Sequence, residues 1–344
     1  MSYREDIRRF TEAWNRVWFS RFDPVSIGVF RILLGALITV FYLVLSPNWE
    51  RFYAADGVAS VNEIGNLNDP WTVFHWTEPN LPIRVYWCIG VIAAIFFTLG
   101  WKTRLCTVVL FILECSLLNR SLPAMNGEDV VFRMLLFWGM FAPLGHRLSL
   151  DSFLKKRRGE QVEGELPRIW AVRGMQINFL LIYVISLPNK LVDDVAWWNG
   201  DAIYLAVVSN MWSRCPWPEM FYAVDGLLSK LFTYGTIIVE GSFPLLVWFD
   251  RPRLYAICAI ASLHLGIAVM LNGVTFFTLS MVCALWSFVP AEVTWKLIQR
   301  LAGIEEGFRG ERYLKLREMM LRKIGSIGNG YNNKVPGPPI KQRS

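Results

Sequence analysis

Eight apolar runs follow one another along this chain, at about residues 25–45, 84–100, 103–118, 129–144, 168–187, 228–248, 253–272 and 274–289. At ~1.5 Å per helical residue they match the ~30 Å hydrocarbon core of a bilayer. A backbone surrounded by hydrocarbon has to satisfy its own N–H and C=O groups, so such runs fold as helices. The expectation is an all-α integral membrane helical bundle with about eight transmembrane helices. The runs at 103–118 and 129–144 are short enough that a neighbouring pair could be re-entrant. Composition agrees: 54% of residues are hydrophobic and 18% charged, which is wrong for a soluble globular chain.

Lysine and arginine gather in cytoplasmic loops, and they supply an independent orientation. If the N-terminus is inside, the inner segments 1–24, 101–104, 145–168, 249–253 and 290–344 hold 26 of the 35 basic residues, and the outer loops hold only Arg51, Arg120, Lys190 and Arg214. Both N and C termini are therefore expected in the cytoplasm, as an even number of spans requires. The net charge of +7 then reads as membrane topology with membrane lipid as the partner. No nucleic acid is expected, because the basic residues are spread over every inner loop.

Three segments follow. Residues 1–24 lack the apolar core and cleavage site of a signal peptide and read as a cytoplasmic interfacial amphipathic helix: Ile7, Phe10, Trp14, Val17 and Trp18 recur at helical spacing, away from Arg4, Arg8, Arg9 and Arg16. Residues 25–290 form the transmembrane domain, with long outer loops at 46–83 and 188–227. Residues 291–344 form a cytoplasmic basic tail containing GERYLKLREMMLRKIG, with a Gly, Asn and Pro-rich end expected to be disordered. The six cysteines show no CxxC spacing or disulfide framework. The three histidines, His75, His146 and His264, have no second ligand at i+4, so no metal site is expected.

Charged groups within hydrocarbon are costly and mark candidate sites unless pairing or snorkelling accounts for them. Asp129 and Arg133, four apart near the outer end of one helix, can form a local ion pair. Arg31 is close enough to the inner interface to snorkel, while Glu114 has no evident local partner. Glu240 and His264 lie at similar depths on the hairpin around FDRPR, where a Glu–His pair would either shuttle a proton or lock the hairpin. Gln176, Tyr183 and Lys190, spaced by seven, share a helix face near Arg173, unless Pro188 ends or kinks the helix before its last step. That stripe suits a polar headgroup or quinone-like ring, and equally a hydrogen-bonded interhelical seam. Beyond it, LPNKLVDDVAWWNGDAIYLAV (187–207) adds aspartates and Trp197 and Trp198 at the membrane edge. The long outer loops suggest a cap with short helices of its own.

The chain resembles the HTTM family, the horizontally transferred transmembrane domain shared with vitamin K-dependent gamma-glutamyl carboxylase. The matching pieces run in family order: VFRILLG (29–35), YAADGV (53–58), NGEDVVFRMLLFWGMFAPLGHRLSLD (126–151), NKLVDDVAWWNGDAIY (189–204), EGSFPLLVWFDRPR (240–253) and HLGIAVMLNGVTFFTLSMVCALWSFVP (264–290). The resemblance implies a plasma-membrane protein, in bacteria of the inner membrane, and a helical enzyme core. There the carboxylase couples oxygenation of reduced vitamin K to removal of a glutamate gamma proton and addition of carbon dioxide. Its active lysine corresponds, by the following leucine and the downstream tryptophan, to Lys190, on the outer side.

Departures limit how far the chemistry carries over. Asn189 stands where the carboxylase has a second lysine, and Glu128 and Asp129 occupy a region where it uses a histidine. The chain also ends soon after the eighth run, without the large lumenal domain that binds protein substrates. Three functions remain open: an enzyme acting on a quinone-like or lipidic substrate and modifying a secreted peptide or protein; a non-catalytic maturation or export partner of a secreted peptide; and a transporter, for which inverted repeats are not visible. Under the first, Lys190, Glu240 and His264 are the candidate catalytic residues. Gln176, Tyr183, Trp197, Trp198, Asp129 and Arg133 are the candidate substrate-binding residues, and the cofactor is reduced vitamin K or another quinone, with no metal.

Overall fold

The computed structural model describes residues 3–54, 57, 72–74, 82–120, 126–159, 166–192, 194–209 and 211–301. The expectations for most of the first outer loop, for His75 and Asp193, and for the tail beyond residue 301 lie outside the described residues. The chain divides into two compact units, Met1–Ala291 and Glu292–Ser344. In the second, the described part is helical, within a helix that begins at Ala291.

Every apolar run contains a helix, and the run at 129–144 leaves its helix after Gly139. An N-terminal α1 (Tyr3–Phe19) is followed by α2 (Val25–Leu45), a short α3 (Trp49–Tyr53), α4 (Ile83–Leu99), α5 (Thr103–Arg120), α6 (Gly127–Gly139) and a short α7 (Leu150–Arg157). Then come α8 (Trp170–Val192), two short helices α9 (Val195–Asn199) and α10 (Ala202–Val208), α11 (Ala223–Leu246), α12 (Asp250–Met270), α13 (Thr275–Leu285) and α14 (Ala291–Leu301). Among the described residues no strand occurs, only the isolated bridges Arg21 to Arg168 and Ser213 to Leu271. Three helical stretches, Val25–Tyr53, Trp170–Val192 and Asp250–Met270, are long and apolar enough to cross a membrane, and a fourth is counted if Thr275–Phe288 is taken together with Ala291–Leu301. The other runs form helices that are shorter or more polar than a full span.

Within the first unit, α13 occupies the middle, packed on α2, α6 and α12, while α4 and α5 close one side and α8 and α11 the other. Small residues allow the close approaches. A Cβ at Gly90 would lie 2.2 Å from the Tyr42 ring, and one at Gly174 would lie 2.2 Å from Trp138. This is how helices associate where lipid supplies no hydrophobic drive between them. Many large apolar side chains, among them Val184, Ile185, Leu231 and Val269, point outward, as expected of a bundle solvated by acyl chains.

One expectation, about a charged residue, is corrected, and one alternative left open, at Pro188, is decided. Arg31 does not snorkel: its side chain is fully buried and donates to the carbonyl oxygens of Leu144, Arg147 and Leu148. Its position in sequence gave its depth, but those carbonyls belong to a turn more than 110 residues away. Pro188 does not end α8, which continues to Val192. A proline removes one helical hydrogen bond, and membrane helices tolerate that when neighbouring groups take up the slack.

Candidate functional site

The seven-residue spacing of Tyr183 and Lys190 keeps both on one face of α8, and that face meets α11 and α12. Lys190 pairs with Glu240 of α11, and its Nζ sits 4.8 Å from the centre of the Trp197 ring. The ammonium thus has a carboxylate on one side and an aromatic face on the other, the two partners that best replace lost water around a cation. About two turns deeper, Tyr183 Oη lies 2.9 Å from Nε2 of His264 on α12. Tyr183 and His264 are both buried, and His264 Nδ1 is enclosed without a hydrogen-bond partner among the described residues. Rings of Phe179 and Phe243 pack on Tyr183, and Phe277 packs on His264.

Glu240 and His264 were placed at similar depths with their contact left open, and the structure sorts them into adjacent pairs, Lys190 with Glu240 and Tyr183 with His264. Both side chains turn towards α8, Glu240 to Lys190 near the cap and His264 to Tyr183 about two turns deeper, and counting residues says nothing of rotation about a helix axis. The two pairs remain within electrostatic reach of each other. The arrangement sets a lysine and a carboxylate in contact beside the cap. It also offers a buried tyrosine–histidine pair, with one spare nitrogen, against an aromatic surface.

Above the pairs lies a cap, as the length of the second outer loop suggested. Asp194 begins α9 by accepting from the Ala196 N–H at 2.9 Å, which commits this aspartate to the helix end. Gly200 ends α9 with φ +82°, and a Cβ there would lie 2.5 Å from Lys230 Cγ. Its carbonyl accepts from Ser229 and Thr233 of α11 at 2.7 and 3.1 Å. The same two hydroxyls accept the N–H groups that open α10, Tyr204 to Ser229 and Ile203 to Thr233, both at 3.2 Å. The Trp198 indole donates to Leu191 O at 2.5 Å, and Tyr234 donates to Trp198 O at 2.8 Å, leaving the Trp198 side chain 61% exposed. Trp197 is therefore the tryptophan that meets the lysine, and Trp198 lies on the outside of the cap.

The remaining candidates lie elsewhere. Gln176 accepts from Arg173 at 2.9 Å and donates to Ser287 O at 2.5 Å. It forms a seam with the turn after α13 rather than joining Lys190. Asp129 accepts from the Asn126 backbone N–H at 2.8 Å, so it closes the start of α6, and it makes no ion pair with Arg133, which the four-residue spacing allowed. Ser229 and Thr233 were missed in the sequence, where hydroxyls on an apolar helix give no sign of a distant loop. The placing of Glu114 comes from the structure as well: it is buried beside Tyr42, near the C-terminal end of α2.

No curated protein and no solved structure matches this chain. A family model does match: the HTTM domain, over residues 19–295. That stretch takes in α2 through α13, both side-chain pairs and the cap, and by it the chain belongs to the HTTM domain family.

Proposed function

We propose that this HTTM protein is a membrane enzyme of the plasma membrane, with eight spans and cytoplasmic termini, whose outer-facing site uses Lys190 as a base on a quinone-like or lipidic substrate. The observation that carries this reading is the Lys190–Glu240 pair set above Tyr183 and His264. A lone buried lysine would be an expense with no use, whereas a lysine beside a carboxylate has a built-in proton partner. In surroundings of low dielectric, the charged pair and the neutral pair, amine with carboxylic acid, come closer in energy. Glu240 can then take the ammonium proton and leave Lys190 as a neutral base. Trp197 keeps water from one face of the amine and holds it in place.

The donor set fits a quinol ring. The enclosed His264 Nδ1 and the rings of Phe243 and Phe277 offer a polar anchor within an aromatic surface. Reduced vitamin K or another quinol would supply an acidic hydroxyl and reducing electrons when bound. Tyr183 fixes the orientation of the His264 ring through its hydrogen bond to Nε2, and the cap over α9 and α10 excludes water from the lysine. The reaction could go on to modify a secreted peptide or protein on the outer side. One observation favours a second reading, a non-catalytic maturation or export partner: the Lys190–Glu240 pair also locks α8 to α11, and would give a rigid outer platform. Turnover of a hydroquinone by the purified protein separates the two. Oxidation by dissolved dioxygen above the uncatalysed rate, lost in Glu240→Gln, supports the enzyme, and no turnover with any quinol supports the platform.

A further inference from the structure

On the opposite side of the bundle from the cap, the turn between α4 and α5 and the segment joining α6 to α7 enclose a half-open cavity of about 620 Å³. Its charged lining is lopsided: Lys102, Arg104, Lys155 and Arg158 against the single carboxylate of Asp151. That carboxylate is already committed. It accepts from Lys102 N at 2.8 Å, and from Thr103 N and Oγ1 at 2.9 Å each, so it caps α5, and the four basic side chains still outnumber it. Lys102 has φ +44°, a left-handed conformation unfavourable for a residue with a side chain. The Asp151 hydrogen bond holds it there, with its Nζ 5.3 Å from the Trp101 ring centre. Arg104 donates through Nε to Met140 O at 3.1 Å, which fixes the guanidinium at the cavity edge. His146 Nδ1 is enclosed with no hydrogen-bond partner among the described residues. Burial, with the charges of Arg147 and Lys155, holds this imidazole below its ordinary pKa and so neutral.

The cavity is also rimmed for lipid. Phe141 lines it and is 43% exposed, and Leu105, beside Arg104 on α5, is 58% exposed. Basic groups sit where helices end, and apolar side chains start just beyond them. A phosphate diester with acyl chains meets both halves of that pattern, whereas a free anion meets only the first.

The geometry points to this cavity as a binding site for the phosphate headgroup of an anionic phospholipid in the leaflet on the basic side of the bundle. Arg104, Lys155 and Arg158 hold the phosphate, and the chains lie along Phe141 and Leu105. The site is independent of the Lys190 chemistry, and a bound lipid would tie α5 to the segment between α6 and α7.

The test titrates phosphatidylglycerol, phosphatidylcholine or inorganic phosphate into the full-length protein in neutral detergent, and reads binding from the melting temperature. Saturable stabilisation by phosphatidylglycerol alone is expected. The variant Arg104→Gln/Lys155→Gln/Arg158→Gln should bind it more weakly, by about fivefold for each side chain removed. Lys156→Gln/Arg157→Gln, on the same helix but outside the cavity lining, should bind like the parent. Equal binding by the triple variant would overturn the assignment, as would equal loss in the Lys156/Arg157 pair, which would mean diffuse surface attraction. Equal stabilisation by inorganic phosphate would mean a free-anion site. If the triple variant does not fold, Lys155→Gln alone gives the same reading at about fivefold.

Discussion

Lys190 of α8 and Glu240 of α11, fifty residues apart in sequence, form an ion pair beneath the Trp197 ring. Removing one partner leaves the other buried and unpaired, which costs about 3–5 kcal/mol in a fully buried pair and less where, as here, the lysine is partly exposed. Glu240→Gln and Lys190→Met should each lower the melting temperature of the purified protein. The double variant should lose less than the sum, because the second change removes a charge that the first left stranded. Strict additivity in that cycle would mean that the pair contributes nothing.

Coupling should follow the observed pairs and not the matched depths. Tyr183→Phe with His264→Phe should show an interaction energy of about 0.5–3 kcal/mol, since the two share a 2.9 Å hydrogen bond. Glu240→Gln with His264→Phe should lie nearer to additive. A larger coupling for Glu240 with His264 than for Tyr183 with His264 would reverse the pairing described above.

Gly200→Ala should loosen the cap. At φ +82° a side chain is strained, and its Cβ would press on Lys230. A destabilisation of about 1–2 kcal/mol is expected, together with faster proteolysis between α9 and α10 and a bundle that otherwise stays intact. Unchanged cleavage at the cap would show that the Gly200 contacts to Ser229 and Thr233 do not hold it down.

The orientation can be read by labelling single cysteines in a cysteine-free background. Val195→Cys, exposed on the cap, should react with an impermeant reagent from outside the cell. Lys156→Cys on α7 should react only once the cytoplasmic side is opened. The reverse pattern would invert the topology drawn from the charge bias.

The helices were legible because each depends on its own residues. The first run, expected at 25–45, is α2 at Val25–Leu45, and the run at 253–272 is α12, which begins three residues earlier and ends two residues sooner, at Asp250–Met270. Pairing between helices was not legible, because depth follows from counting residues but azimuth does not. That is why Glu240 was matched with His264 and not with Lys190. Arg31 failed for a related reason: its partners are backbone carbonyls of a distant turn, and carbonyls leave no mark in a sequence. Lys190 and Trp197 could be linked in advance because both lie in one short stretch, joined by a helix end and the start of the next.

The central claim is that the Lys190 amine accepts a proton, and Lys190→Arg tests it most directly. Arginine keeps the positive charge and can keep Glu240 paired, but it cannot become a neutral base at ordinary pH. In a hydroquinone turnover assay on purified protein, the account predicts a variant that folds and melts like the parent while its rate falls by about 100-fold or more. A Lys190→Arg protein that turns over substrate at the parental rate would contradict it.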